Sequence, residues 1–435
     1  METTTNKPLD RLDIFSLKGI QMQTFHITWL TFFCCFFGWF GIAPLMPIIR
    51  EDLGLNKAQI GNTIIAAVSM TIFARLLIGR LCDTWGPRLT YTALLILGSI
   101  PVMCIGFANS YASFLLFRLG ISVIGASFVV TQFHTSTMFA PKIKGTANAV
   151  AGGWGNLGGG VTNMVMPLIF AGFVGLGYIK HDAWRLAMIV PGVMMLIMAV
   201  LYYRYTKDTP AGNYSEIERS PEVKKEGSFL AAASDYRVWT LFLAYGACFG
   251  IEITFDGVAA LYFTDTFTLD LKMAGLLAGI FGFMNIFARA VGGIVADKVG
   301  NKYGMRGKGW LLAGFLTLEG LGIMLFSVTH TLTFAIIAML AFAMFLKMAN
   351  GATYAIVPFV NPKAVGSVAG IVGAGGNLGG VLAGFLFKST SISYGQAFMY
   401  IGIVVALIGV VTALVNYEKT NPITEGEGKL ALERI

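Results

Sequence analysis

The sequence predicts an all-α membrane protein of twelve transmembrane helices in two pseudo-symmetric six-helix bundles. Three observations predict it. Hydrophobic residues make up 56% of the 435 and charged residues only 12%, with a mean hydropathy of +0.71, outside the range of soluble chains of this length. Apolar runs of about 20 residues or more recur, continuous rather than alternating, which selects helices over a barrel. The chain also repeats itself. Arg75, Gly79, Asp83 and Gly86 return at identical spacing as Arg289, Gly293, Asp297 and Gly300, and Gly152-Gly-Trp-Gly-Asn156-Leu-Gly-Gly159 returns as Gly373-Ala-Gly-Gly-Asn377-Leu-Gly-Gly380.

The spans follow in order. A polar, acid-containing stretch opens the chain (1–23); it lacks the character of a cleavable signal and reads as a cytoplasmic tail. The first six spans are expected at 24–47, 58–82, 89–109, 111–138, 144–175 and 184–204. The longest hydrophilic interruption, 205–236, holds Pro210, Gly212, Pro221 and a mixed-charge run, and reads as a linker between bundles. The second six are expected at 237–264, 270–296, 308–327, 331–360, 363–389 and 395–416, leaving a tail at 417–435. The bundles are thus 24–204 and 237–416. Spans longer than the minimum permit tilt, and the abundant glycine lets helices approach closely. Lys and Arg cluster after the second, fourth, sixth and eighth spans and are absent after the third, ninth and eleventh. Positive-inside then puts both termini in the cytoplasm, with the protein in the cell membrane.

Composition also excludes. The net charge of +8 lies in loops and ends, where it encodes topology rather than nucleic-acid binding. The five cysteines lie in or beside apolar segments without CxxC or metal spacing and read as reduced packing residues. There is no phosphate loop for ATP, no HExxH and no nucleophile elbow. No enzymatic activity, cofactor or metal is expected, and a monomer in the lipid bilayer is.

The repeats carry the chemistry. Asp83 and Asp297 sit at the mouths of the second and eighth spans, where a carboxylate can cap a helix or pair across a seam and bias one gate state; the neighbouring glycines allow a tight turn. Arg75 and Arg289 each precede that Asp by eight residues, about 12 Å deeper in the helix. Equal depth and two-fold pseudosymmetry set them on opposite walls of one cavity. Each buried guanidinium costs at least ~2.5–3.5 kcal/mol, which an anion between them would relieve. Arginine suits a planar oxyanion because its fork donates two parallel hydrogen bonds. The alternative is that each pairs with a buried acid or carbonyls. Gly152, Gly153, Gly155, Gly158 and Gly159 in the fifth span, and Gly373, Gly375, Gly376, Gly379 and Gly380 in the eleventh, give flat faces on which a neighbour packs or pivots. Asn156 and Asn377 are placed to hold backbones or touch the substrate.

The doubled Gly-x-x-x-Asp-x-x-Gly resembles the loop motif of the major facilitator superfamily, whose halves are parallel repeats. Ala151–Gly160, Ala369–Gly380 and Ala43-Pro-Leu-Met-Pro-Ile-Ile-Arg50 narrow the resemblance to the nitrate/nitrite porter family. That resemblance implies a substrate clamp at Arg75 and Arg289, aromatics above and below the ion at Phe128, Tyr245, Phe249 and Tyr354, and nitrate or nitrite as substrate. Without ATP, coupling must come from a gradient. Glu252 and Asp256, i and i+4 in the seventh span, share a face with Phe249 and are proton-coupling candidates; so, less directly, is His134 in the fourth. Antiport members, as the resemblance implies, have cores almost free of acids, so these acids favour proton-coupled nitrate uptake by alternating access over nitrate/nitrite antiport. The remaining readings are a transporter of another small anion, such as a small carboxylate, which needs more room or a third cation, and a receptor on this fold, which needs a long signalling domain or tail.

Overall fold

The computed structural model describes residues 7–216, 229–361 and 365–418; a few side chains within them, Asp83 among them, lie outside what it describes. The first span is a helix, Gly19–Phe40, broken at a proline-bearing turn and resumed as Met46–Asp52. The second is Lys57–Trp85, started by an Asn56/Gln59 capping box, and the third Pro87–Cys104. The fourth is Tyr111–Ser122 and Ser127–Met138, joined by the 3-10 turn Val123–Ala126. Pro141–Gly175 is the fifth; Lys180–Ala187 with Ile189–Tyr205 is the sixth. In the second half come Tyr236–Phe267, Leu332–Val360, Val365–Lys388 and Tyr394–Leu414.

Between them, Leu271–Ser327 is 57 residues of apolar helix. At 1.5 Å per residue that is about 85 Å, far beyond a ~30 Å hydrocarbon core. The chain doubles back at Gly304, whose φ of 66° and ψ of −162° leave the helical region. The stretch is therefore the eighth and ninth spans, which makes twelve crossings among the described residues.

That turn corrects one expectation. In the first half the motif glycine itself makes the turn: Gly86 has φ 89°. A Cβ there would also lie 2.5 Å from Asp208 Oδ1. In the second half Gly300 stays helical and the reversal comes four residues later, at Gly304. One extra helical turn separates motif from bend, so sequence spacing alone misplaces it. The linker is a second refinement. Its opening residues are docked: the Asp208 carboxylate accepts from the Arg88 N–H at 2.9 Å and the Tyr214 N–H at 3.0 Å, capping the third span. The amino-terminal segment is docked too. Leu9 exchanges backbone hydrogen bonds with Met138 and Ala140 at 3.0 and 2.7 Å, and Leu12 packs beside Phe25 and Phe139.

Small residues set the helix contacts. Between bundles, the fifth span meets the eighth backbone to backbone, where a Cβ on Gly160 would come 2.5 Å from the Gly282 Cα. The second meets the eleventh at Ile65 and Gly384. On the face opposite the amino terminus, Arg50 donates to both Asp265 oxygens at 2.9 and 3.0 Å. Tyr394 donates to the same carboxylate at 3.1 Å, and Lys57 donates to the Ile392 carbonyl.

Candidate functional site

Arg75 lies in the second half of the Lys57–Trp85 helix, 5% exposed. Its Nη1 donates to the Gly373 carbonyl at 2.6 Å. With the Asn377 amide turned so that its oxygen faces the guanidinium, that oxygen accepts from Nε at 3.2 Å and Nη1 at 2.8 Å. Arg289, 3% exposed, donates from Nη2 to the Tyr245 hydroxyl at 3.3 Å. Both guanidinium carbons lie over one ring, Phe128, at 5.3 and 5.9 Å from its centroid, which bounds their separation at about 11 Å. Among the described residues neither arginine makes an ion pair. Arg75 Nη2 and Arg289 Nη1 are buried without a hydrogen-bond partner. Two such forks, desolvated and with no carboxylate within ion-pair distance, are costly unless an acceptor completes them.

The four aromatic residues close round the pair. Tyr245 and Phe249 stack at 5.0 Å with their planes 3° apart, as i and i+4 neighbours do. Phe128 stacks on Phe249 at 6.3 Å and meets Tyr354 edge-on at 5.7 Å. Tyr354 meets Tyr245 edge-on at 5.0 Å. The Tyr354 hydroxyl has no partner, and a Cβ on Gly373 would lie 3.6 Å from it. Rings on several sides make the arrangement flat and narrow. Its free donors, two guanidinium N–H groups and a phenol, suit an acceptor-only ion.

The glycines hold these walls together. Gly152 and Gly153 lie against Arg289, with a Cβ on Gly152 4.0 Å from Cζ and one on Gly153 3.9 Å from the Arg289 Cβ. Gly155 and Gly158 pack on Phe32 and Phe33 of the first span. Gly375, Gly376 and Gly379 pack on the seventh, where a Cβ on Gly376 would sit 2.7 Å from Phe249. Gly159 faces Asp256 and Gly380 faces Ile253. Asn156 occupies the position equivalent to Asn377 but both of its amide atoms lack partners.

The acids separate. Glu252, 1% exposed, accepts from Lys347 at 2.9 Å and from Asn285 and Asn350 at 2.6 Å each. Asp256, 2% exposed, turns toward the other bundle, with Oδ1 unpartnered. His134 is engaged on both nitrogens, by the Tyr202 hydroxyl and by the Lys207 carbonyl at 2.7 Å, in the docked start of the linker. Asp297 accepts from Lys308 at 2.7 Å across the Gly304 turn, and Lys308 donates onward to the Ala355 carbonyl at 3.1 Å. The Asp83 side chain lies outside the described residues. Sequence reasoning passed over Lys347, Asn285 and Asn350, and over Glu319, wholly buried with both oxygens unpartnered. Each carried a readable signal, a polar residue inside an apolar run.

Comparison with known proteins agrees with this architecture. Residues 28–384 match the Major Facilitator Superfamily. The chain is 41% identical over 379 residues to "High-affinity nitrate transporter 2.3" of Oryza sativa subsp. japonica, covering 86% of this chain and 73% of that one. It is 40% identical to "High affinity nitrate transporter 2.5" of Arabidopsis thaliana, over 86% and 75%. It is 30% identical to "Nitrate/nitrite transporter NrtP" of Picosynechococcus, over 85% of each. Among solved structures it resembles a bacterial homolog of the lysosomal transporter Spinster in an inward-facing, unoccupied conformation, with a TM-score of 0.66 at 18% identity over 91% and 96%; at that identity the likeness speaks for the fold. Repeats, twelve helices and kinship converge: the chain belongs to the nitrate/nitrite porter family of the major facilitator superfamily, as a transporter and not an enzyme.

Proposed function

We propose that this protein carries nitrate, and nitrite, into the cytoplasm across the cell membrane with protons, by alternating access. The observation that carries the reading is the arginine pair: two buried guanidinium groups over one phenyl ring, without carboxylate partners, each with an unmet donor. Nitrate between them accepts from Arg75 Nη2, Arg289 Nη1 and Tyr354, and lies flat against Phe128 and Phe249. Asn377 orients Arg75; Asn156, its counterpart, has amide atoms free to meet the ion. The kinship with nitrate transporters supports nitrate over other small anions. The bundles 24–204 and 237–416 rock as units on the glycine faces, and Asp83 and Asp297 bias the gate on the amino-terminal side. That side, with tails 1–23 and 417–435 and linker 205–236, faces the cytoplasm, and the working unit is a monomer.

Protons enter because an anion must move against an inside-negative potential. Asp256 and Glu319 are the groups suited to carry them: a buried carboxyl without partners is expensive as an anion and cheap as an acid. Glu252 links them to the site by balancing Lys347 on the helix that follows the Arg289 hairpin. His134, engaged on both sides, anchors the linker. One observation favours nitrate/nitrite exchange instead: Glu252 is already saturated by Lys347, Asn285 and Asn350.

The test is radiolabelled nitrate uptake by proteoliposomes of the purified protein. Counterflow blocked by nitrite and chlorate but not formate, with accumulation driven by an imposed inward proton gradient, is the expected result. Counterflow insensitive to nitrate and nitrite removes the substrate; accumulation indifferent to the proton gradient leaves exchange.

A further inference from the structure

A third arginine stands apart from the pair. Arg118, in the fourth span, is 5% exposed and makes no ion pair among the described residues. Its hydrogen bonding is a single long contact, Nη1 to the Trp39 carbonyl at 3.5 Å, and its Nε has no partner. It lines a small, partly enclosed cavity of about 20 Å³, room for a water but not for an oxyanion. The walls come from both bundles: Trp39, Ala67 and Val68 on one side, Ile253, Thr254 and Gly380 on the other. No Asp or Glu lines it.

Three helices give its depth independently. Val68 is seven residues from Arg75, Ile253 eight from Tyr245, and Gly380 seven from Gly373, all toward the face opposite the amino terminus. At 1.5 Å per residue the cavity lies about 10–12 Å beyond the arginine pair. Met46 lines it as well, and Arg50, one helical turn further, makes the ion pair with Asp265 that joins the bundles at that face. The order along the axis is therefore outer ion pair, Arg118, arginine pair.

We infer that Arg118 and this cavity are an outer waiting site for the anion, filled when the bundles part on the far face and collapsed in the state described. This rests on the proposed substrate and orientation. A wall shared by two bundles opens when they rock apart, and opening it exposes an uncompensated guanidinium to the outside. A cation at the neck of a low-dielectric funnel concentrates anions there and hands them to the deeper pair. The competing role is structural: through the Trp39 carbonyl Arg118 tethers the end of the first helix.

The experiment is external nitrate uptake by proteoliposomes of the full chain, with Arg118→Gln, Gly257→Asp and Gly257→Ala. Gly257 lines the same cavity and a Cβ added there would meet nothing within 4 Å. Gly257→Asp thus cancels the local charge without touching Arg118. Both Arg118→Gln and Gly257→Asp are expected to raise the external KM about tenfold, with Vmax and thermal stability held in Gly257→Asp and KM near wild type in Gly257→Ala. An unchanged KM in Gly257→Asp, or equal rises in Gly257→Asp and Gly257→Ala, overturns the waiting site. A wild type that moves no nitrate overturns the substrate reading and this one with it; a wild type that moves nitrate keeps the two separate.

Discussion

Removing Lys347 should destabilise the second bundle more than removing its whole ion pair. Lys347 and Glu252 are 0% and 1% exposed and 2.9 Å apart. Lys347→Met leaves Glu252 with two amide donors, Asn285 and Asn350, but no countercharge. Breaking one side of a buried pair costs about 3–5 kcal/mol. Spread over the unfolding entropy of 435 residues, that is a fall of roughly 3–5 °C in midpoint. The double variant Glu252→Gln/Lys347→Met keeps the amide contacts and removes both charges, so its midpoint should return to wild type or exceed it by up to the ~1–4 kcal/mol seen when such pairs are replaced. Fluorescence-detected thermal melts in detergent read both. A double variant no more stable than Lys347→Met refutes the pairing. Transport adds a second readout: if Glu252 balances charge during proton coupling, the double variant keeps nitrate counterflow and loses proton-driven accumulation.

Arg75→Lys or Arg289→Lys keeps the charge but loses the fork; a nitrate Kd raised about 10–100-fold by titration calorimetry in a folded protein is expected, and near-normal affinity in both counts against the clamp. Tyr354→Phe removes one free donor and should weaken nitrate about tenfold at most, with melting unchanged. Gly376→Leu forces a side chain into Phe249 and Tyr245, so turnover should stop; normal counterflow would show that this face tolerates bulk. Outside the membrane, burial pushes the Asp235 carboxyl up, but hydrogen bonds from the Arg237 side chain and amide outweigh it and hold it below its ordinary 3.8. A depressed acid stabilises above its unfolded pKa and loses that contribution as pH falls through the folded one. Asp235→Asn should therefore melt lower than wild type at pH 7, the gap closing below about pH 4.

What was legible followed from repetition. Arg75 and Arg289 stood out because each had a twin at the same depth, and the paired Gly-Asn-Leu-Gly-Gly stretches fixed which helices pack closest. Lys347, Glu319 and Arg118 are as buried and as polar, but none has a charged twin in the other half, so nothing in the chain assigned them a partner. Glu252 looked like a free acid for the same reason: its lysine lies 95 residues away. The bend at Gly304 was invisible because the repeat is exact through Gly300 while the turn is not. Asp208 read as a linker residue because capping the third span from 120 residues downstream is a tertiary event.

The ion pair between Arg50 and Asp265 has a consequence for physiology. Its side chains are 31% and 26% exposed, so it is worth about 0–1 kcal/mol and weakens as ionic strength shortens the Debye length. In the proposed alternating-access cycle, a latch that feeble tilts the ratio of the two conformations by no more than about fivefold. With the far surface facing outward, as proposed, salinity there becomes a dial on how often the carrier is ready to load, set by the medium rather than by the cell.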